Sequence, residues 1–279
     1  MISRNLYISA AIALVFFSCD EPVRLDVSQG ESFVVIEGQV TNVEGRQYVK
    51  LSRTGGFYDT GKPPQIIDGA VIIKDDAGNE FNFVHNPNNY ADSSGYYLPS
   101  TPFIGEIGRT YSLHVTVDDR QYEAQDKMAR VTSIDSLTYR VNEDEKDDPK
   151  DYGKFYEVLL YAKEPQDTDD YYLFKFFRND SLKVYDDNEI YLADDVNLGE
   201  NIDGIGSPIY FAPGDQARCE IYSLSRTAFI FYRDLQNLLN NDGGLFSQPP
   251  ANSRTNLSNG AIGFFQASAL HVKEIAIKE

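Results

Sequence analysis

The sequence predicts a mainly β fold, with an N-terminal β-sandwich over residues 32–128 and a C-terminal β-rich domain over 129–279 that carries one prominent helix near 225–241. Three observations predict it. The chain holds 19 Tyr and 17 Phe with 12 Pro and 20 Gly, a mixture suited to short strands joined by turns. Roughly seven β-branched or aromatic runs, bounded by Gly, Pro, Asn and Asp, succeed one another before residue 128 at the spacing of a sandwich. Helical periodicity is convincing in one segment alone, "SRTAFIFYRDLQNLLNNDGG".

Residues 1–18 read as an export signal. Arg4 is the single charge before an apolar stretch from Leu6 to Phe17, which has the length of a signal-peptide core. A bilayer span needs about 20 apolar residues, so this run is too short to cross one. Ser18, a small residue that a peptidase accepts, is followed by Cys19. That arrangement resembles a bacterial lipobox, in which the cysteine is diacylated and becomes the first residue of the mature chain. An ordinary secretory signal, a buried amphipathic helix and a disulfide from Cys19 to Cys219 are the alternatives. Acylation would consume the Cys19 thiol and leave Cys219 as a free, buried residue of the strand-like "ARCEIYSL". Residues 19–31 form an acidic tether.

"SFVVIEGQVTN" is the first strand of the sandwich. In "RQYVKLSRTGG", Val49 and Leu51 alternate with Tyr48, Lys50 and Ser52, so one face is apolar and the other wet. Val71–Ile73 and Phe81–Val84 flank the turn "DDAGN", where Gly78 can take positive φ. Thr110–Val117 alternates strongly and turns at Asp118–Asp119 into a further strand. The order "DGAVIIKDDAGNEF…GYY…GRTYSLHVTVDDRQYEA" resembles the transthyretin-like or carboxypeptidase-regulatory-like sandwich, a relative in shape of the immunoglobulin-like one.

After Val131 the pattern changes. "VTSIDSLTYRV" leads into the charged connection "NEDEKDDPKDYGK", and "FYEVLLYAKEP" and "DYYLFKFFRND" are strong strands, the first apolar enough to be central. In the helix, Ser225 is placed to cap the N-terminus. Ala228, Phe231 or Tyr232, Leu235, Leu238 and Leu239 recur at three and four residues, and Gly243–Gly244 supply the stop. "AIGFFQASALHVKEIAIK" reads as one long or bent strand.

Charge excludes one class of function. Lys plus Arg number 25 against 43 Asp plus Glu, a formal charge of −18 without a basic run, so nucleic acid is not an expected partner. An acidic surface also gains nothing from an anionic leaflet, so membrane contact is expected through the acyl anchor alone. His85, His114 and His271 stand in separate segments without a second ligand at metal spacing, and no metal or other cofactor is expected. No nucleophile elbow, S-x-x-K, H-E-x-x-H or phosphate loop occurs, so no catalytic residue is assigned and the chain is expected not to be an enzyme. A paired-carboxylate hydrolase stays open because acids are abundant. Calcium at "DDAGNE" or "NEDEKDD" competes with solvated turns, and sugar stacking on Tyr-rich loops competes with burial.

The segment "GGLFSQPPANSRTNLSNGAIGFF" has two readings. Pro249 and Pro250 keep it extended and outside any central ladder, while Asn252, Asn256 and Asn259 can bond nearby backbone. Leu245 and Phe246 on one side, with Phe264 and Phe265 on the other, can pin it to the core. It is then either a structural lasso over helix and sheet or a rigid loop that Leu245, Phe246, Pro249, Pro250, Asn252 and Asn259 present to a partner protein.

"CEIYSLSRTAFIFYRDLQNLLNNDGGLFSQPPANSRTNLSNGAIGFFQASA", with the upstream "VVIEGQVTNVEGRQYVKLSRT" and "GRTYSLHV", resembles a family of Bacteroidota lipoproteins catalogued as domain of unknown function 4249. The resemblance implies an outer-membrane lipoprotein anchored at Cys19, often encoded near TonB-dependent receptors, without catalytic residues. It thereby implies an accessory subunit of an outer-membrane β-barrel complex, with a surface glycan- or ligand-binding lipoprotein as the alternative. Asp20 and Glu21 resemble the acidic tag that routes lipoproteins of this phylum to the cell surface. Asp135-Ser136-Leu137 and Asp180-Ser181-Leu182 resemble its short O-glycosylation sequon, which would make Ser136 and Ser181 acceptors.

Overall fold

A computed structural model of the chain describes residues 32–56, 59, 61–147, 150–186, 188–241 and 252–278. The export signal, the tether with Cys19, Asp20 and Glu21, and the stretch with Leu245, Phe246, Pro249 and Pro250 lie outside the described residues. The fold is mainly β. In chain order the strands are β1 (Val34–Thr41), β2 (Tyr48–Arg53), β3 (Ala70–Asp75), β4 (Glu80–His85), β5 (Tyr96–Pro99), β6 (Thr110–Val117), β7 (Arg120–Lys127) and β8 (Ile134–Val141). They continue with β9 (Tyr156–Lys163), β10 (Tyr171–Arg178), β11 (Ser181–Lys183), β12 (Tyr191–Asp194), β13 (Asn201–Phe211), β14 (Gln216–Leu224), β15 (Ile262–Ser268) and β16 (Leu270–Ala276).

The first sheet has the order β15-β1-β2-β5-β4-β3-β6-β7. Alternation builds it. Tyr111, Leu113, Val115 and Val117 of β6 and Tyr122 and Ala124 of β7 face inward, with the residues between them outward. The hairpin between these strands turns on Asp118 and Asp119, both at positive φ, as a two-residue turn matched to strand twist requires. The sheet curls until its end strands β7 and β15 meet, almost closing around Ile36, Leu51, Ile73, Leu113 and Phe265. That shape fits the sandwich expected from the sequence.

Its edge strand arrives from the far end of the chain. β15 runs parallel to β1, from Val35 opposite Ile262 to Thr41 opposite Ser268. Gly263 permits the approach, because its φ is +105° and a Cβ there would lie 2.2 Å from the carbonyl oxygen of Ile36. At Ala269 the chain bends, and β16 joins another sheet antiparallel to β14. The segment read as one long or bent strand is therefore two strands in two sheets, and Ser32–Gly55 with Gly61–Glu279 form one compact unit. β7 ends at Lys127, and β15 enters the first sheet from the portion expected over 129–279.

The second sheet has the order β11-β10-β14-β16, with β12 also on β10, and the third the order β13-β9-β8. Both faces of β14 are covered, so it is buried almost throughout from Ala217 to Leu224 despite its polar residues. Ala217, Cys219 and Ile221 pack toward Val158, Leu160 and Phe211 of the third sheet, whereas Tyr222 and Leu224 meet the helix and β15. The helix spans Arg226–Leu239, and the Ser225 hydroxyl caps it by accepting from the Ala228 N–H. Among the described residues no helix is long and apolar enough to cross a membrane.

Candidate functional site

Two cavities flank the β1–β2 hairpin, and Tyr48 lines both. On one side, Phe231, Leu235 and Leu238 of the helix face Val35, Ile262 and Phe264 across a mostly apolar groove of about 320 Å³, with Asn252 at its border. On the other side, the turn after β1 and the strands β2 and β5 face β10 and β14 across a second cleft of about 320 Å³. Ligand sites commonly begin near this size.

The second cleft is built around a charge that sequence reading missed. Glu220 alternates with Cys219 and Ile221 along β14, so it faces away from the third sheet and toward the hairpin, where it is fully buried. Arg46 Nη2 reaches it at 3.0 Å and Arg218 Nε at 3.1 Å, and the Tyr222 hydroxyl donates to its second oxygen at 2.7 Å. Such enclosure is what a buried carboxylate needs. Arg218 also pairs with the exposed Asp180 and lies over the Phe177 ring. Opposite Glu220 in the strand register stands Lys175, its ammonium 4.6 Å from the Tyr222 ring centroid. Burial holds the Lys175 amine below its ordinary range, an effect that Glu220 partly offsets. Burial, with the Glu37 and Tyr96 charges, pushes the Tyr48 phenol up to about 12.

A hydrogen-bonded chain links cleft to groove. Tyr232 of the helix donates to Gln266 Oε1 at 2.6 Å, Gln266 Nε2 donates to Gln39 Oε1 at 3.0 Å, and Gln39 Nε2 donates to the Arg46 carbonyl at 3.1 Å. Gln39 and Gln266 are register partners of β1 and β15, so this parallel pairing positions both cavities at once.

Of the described residues expected from the sequence, Asn252 lies at the groove and the others fall elsewhere. Asn259 donates to the Gln121 carbonyl at 2.7 Å, and Asn256 donates to the Gln125 and Phe265 carbonyls. The described part of this segment thus straps β7 to β15. Ser136 and Ser181 are both exposed, in β8 and at the start of β11. Each histidine acts separately: His85 accepts from the Gly95 N–H, His271 accepts from the Ile134 N–H, and His114 faces Glu123. Among the described residues no group of three or more His, Cys, Asp or Glu could hold a metal ion. The Asp75 carboxylate of "DDAGNE" is taken by the Ala77 and Asn79 N–H groups, as in a closed turn. The buried acids Glu164 and Asp170, bonded to Tyr172 and Arg130, line neither cavity.

The architecture defines a class: a mainly β chain whose almost closed first sheet is completed by a C-terminal strand, with one helix laid against the seam. The family model described as "Domain of unknown function (DUF4249)" matches residues 20–274, and the chain belongs to that family. No curated protein matches the chain.

Proposed function

We propose that this chain is a lipid-anchored, non-enzymatic accessory subunit of an outer-membrane complex. It is tethered through Cys19, routed to the cell surface by Asp20 and Glu21, and docked on a β-barrel partner such as a TonB-dependent transporter. The observation that carries this reading is the groove between the helix and the β1–β15 edge. An open apolar groove beside a helix is a recurrent protein-docking surface. Purification of the native protein from detergent-solubilised membranes tests it. A barrel protein is expected to accompany the chain, and recovery as a lone monomer would sink the idea. A Cys19→Ala variant is expected to leave the membrane fraction, and its retention there would overturn the anchoring.

A second reading, a surface lipoprotein that binds a small ligand, is favoured by the cleft of Arg46, Lys175, Tyr48 and Tyr96. Cations beside aromatic walls are unusual equipment for a chain with a net charge of −18.

A further inference from the structure

We propose that the cleft between the β1–β2 turn and the β10–β14 pair binds a carboxylate borne on a ring, supplied either by a uronate sugar unit or by an aromatic acid. This rests on the ligand-binding reading and names the chemistry of its ligand. The starting point is the distribution of charge. Three cations, Arg46, Lys175 and Arg218, surround the single carboxylate of Glu220. Arg46 and Arg218 are both within 3.1 Å of it, and Arg218 has Asp180 as well. Among the described residues no carboxylate comes within 4.0 Å of the Lys175 ammonium, whose close neighbour is the face of Tyr222. One surplus positive charge is therefore held, half-buried, in the wall of an open cleft.

A desolvated ammonium gains most from an anion delivered into the same low-dielectric setting. A single surplus charge suits a monoanion. A dianion such as phosphate would place its second charge against Glu220, which lies opposite Lys175 in the strand register. Arg46 keeps 39% of its side chain exposed while bonding Glu220 through Nη2, so part of a guanidinium remains for the same ligand. The rest of the wall selects the body that carries the charge. Tyr48 and Tyr96 stand with ring centroids 5.7 Å apart, and Leu98, Phe177 and Leu182 complete an apolar lining. Flat or ring-shaped ligands pack on such walls, and the cleft volume of about 320 Å³ holds one or two rings.

Isothermal titration calorimetry of the full-length chain with glucuronate, benzoate, glucose and inorganic phosphate tests the proposal. Glucuronate or benzoate is expected to bind, with glucose and phosphate silent, and the tighter of the two acids names the source. Lys175→Met is expected to weaken binding by about ten-fold or more, the effect of losing one charge-assisted contact. Lys175→Arg should retain most of it. The melting temperature of Lys175→Met should not fall, because the substitution removes a charge that burial disfavours. The wild-type affinity should also drop as sodium chloride is added, a measurement that needs no variant. Equal binding of glucose and glucuronate would overturn the anion inference and leave the ligand-binding reading standing. An unchanged affinity in Lys175→Met would likewise overturn it. Silence from all four probes and from a neutral glycan panel would remove both.

Discussion

Two buried carboxylates hold two seams of this molecule, and they are held in opposite ways. Glu220, where the first sheet meets the second, is clasped by two guanidinium groups and a phenol. Asp126, where β7 meets β15, has no such cation among the described residues. It accepts from the Ala267 N–H at 2.9 Å, the Ser225 hydroxyl and the Lys127 backbone, and burial pushes its carboxyl up to about 6. Ser225 in turn caps the helix, so Asp126 ties two strands and a helix start together with neutral donors. The difference teaches that burial alone does not set a carboxyl's character. The donors supplied to it matter as well, and the neutral donors around Asp126 leave burial as the larger effect there.

Removing the clasped charge should have the largest effect. Glu220→Gln leaves Arg46 and Arg218 facing a neutral amide, and breaking a buried pair from one side costs about 3–5 kcal/mol. The value should fall at the lower end, since Arg46 is partly exposed and Arg218 keeps Asp180. The midpoint of urea unfolding reads it, and an unchanged midpoint would mean that Glu220 is not the clasp described.

Asp126→Asn should act in the reverse direction at neutral pH. Folding raises this carboxyl from 3.8 to about 6, so its contribution to stability is complete below pH 3.8 and is lost as pH climbs through 6. A shift of this size corresponds to at most about 3 kcal/mol. The amide variant, which still offers an acceptor to Ala267, should gain up to that amount at pH 7. It should also lose the wild-type's slope of stability between pH 4 and 6. A variant less stable than wild type at pH 7, with the slope intact, would show that Asp126 sits charged and well compensated.

The strap is the next test. Asn256→Ala strands the Phe265 N–H and two carbonyls that its carboxamide serves, a cost of about 1–3 kcal/mol. Faster amide exchange should accompany it in β15 and β7, and not in β10. The smallest effect belongs to Ser225→Ala, about 1 kcal/mol for a lost helix cap. That loss should depend on pH, because Ser225 also serves Asp126. Combined with Asp126→Asn, its cost should become flat with pH.

Much of the fold was legible because it is written in local periodicity. The alternation of "TYSLHVTV" and "RQYEAQDK" is the burial pattern of β6 and β7, and the helix begins at the cap its sequence announces. The parallel pairing of β1 with β15 was not legible. It joins residues 227 positions apart, such as Gln39 and Gln266, and long-range pairing leaves no mark on either segment alone. The bend at Ala269 was hidden because "FFQASALHV" is apolar on both sides of it. No motif or loop pattern marks the cleft. Its signal was present as a charge inside an apolar strand, Lys175 in "YYLFKFFR" and Glu220 in "ARCEIYSL". Such a residue must either find a partner or face an opening.

The bend at Ala269 also bears on how the molecule comes into being. β15 and β16 are consecutive, yet one completes the first sheet and the other lies against β14 in the second. Both follow every other described strand in chain order, so both sheets wait on this segment during synthesis, with β1 exposing an unpaired edge until then. Closure across such a sequence separation is slow, and an open edge invites pairing with other chains. A product cut short before Ile262 would lack the closing strand of both sheets, and aggregation is its expected fate.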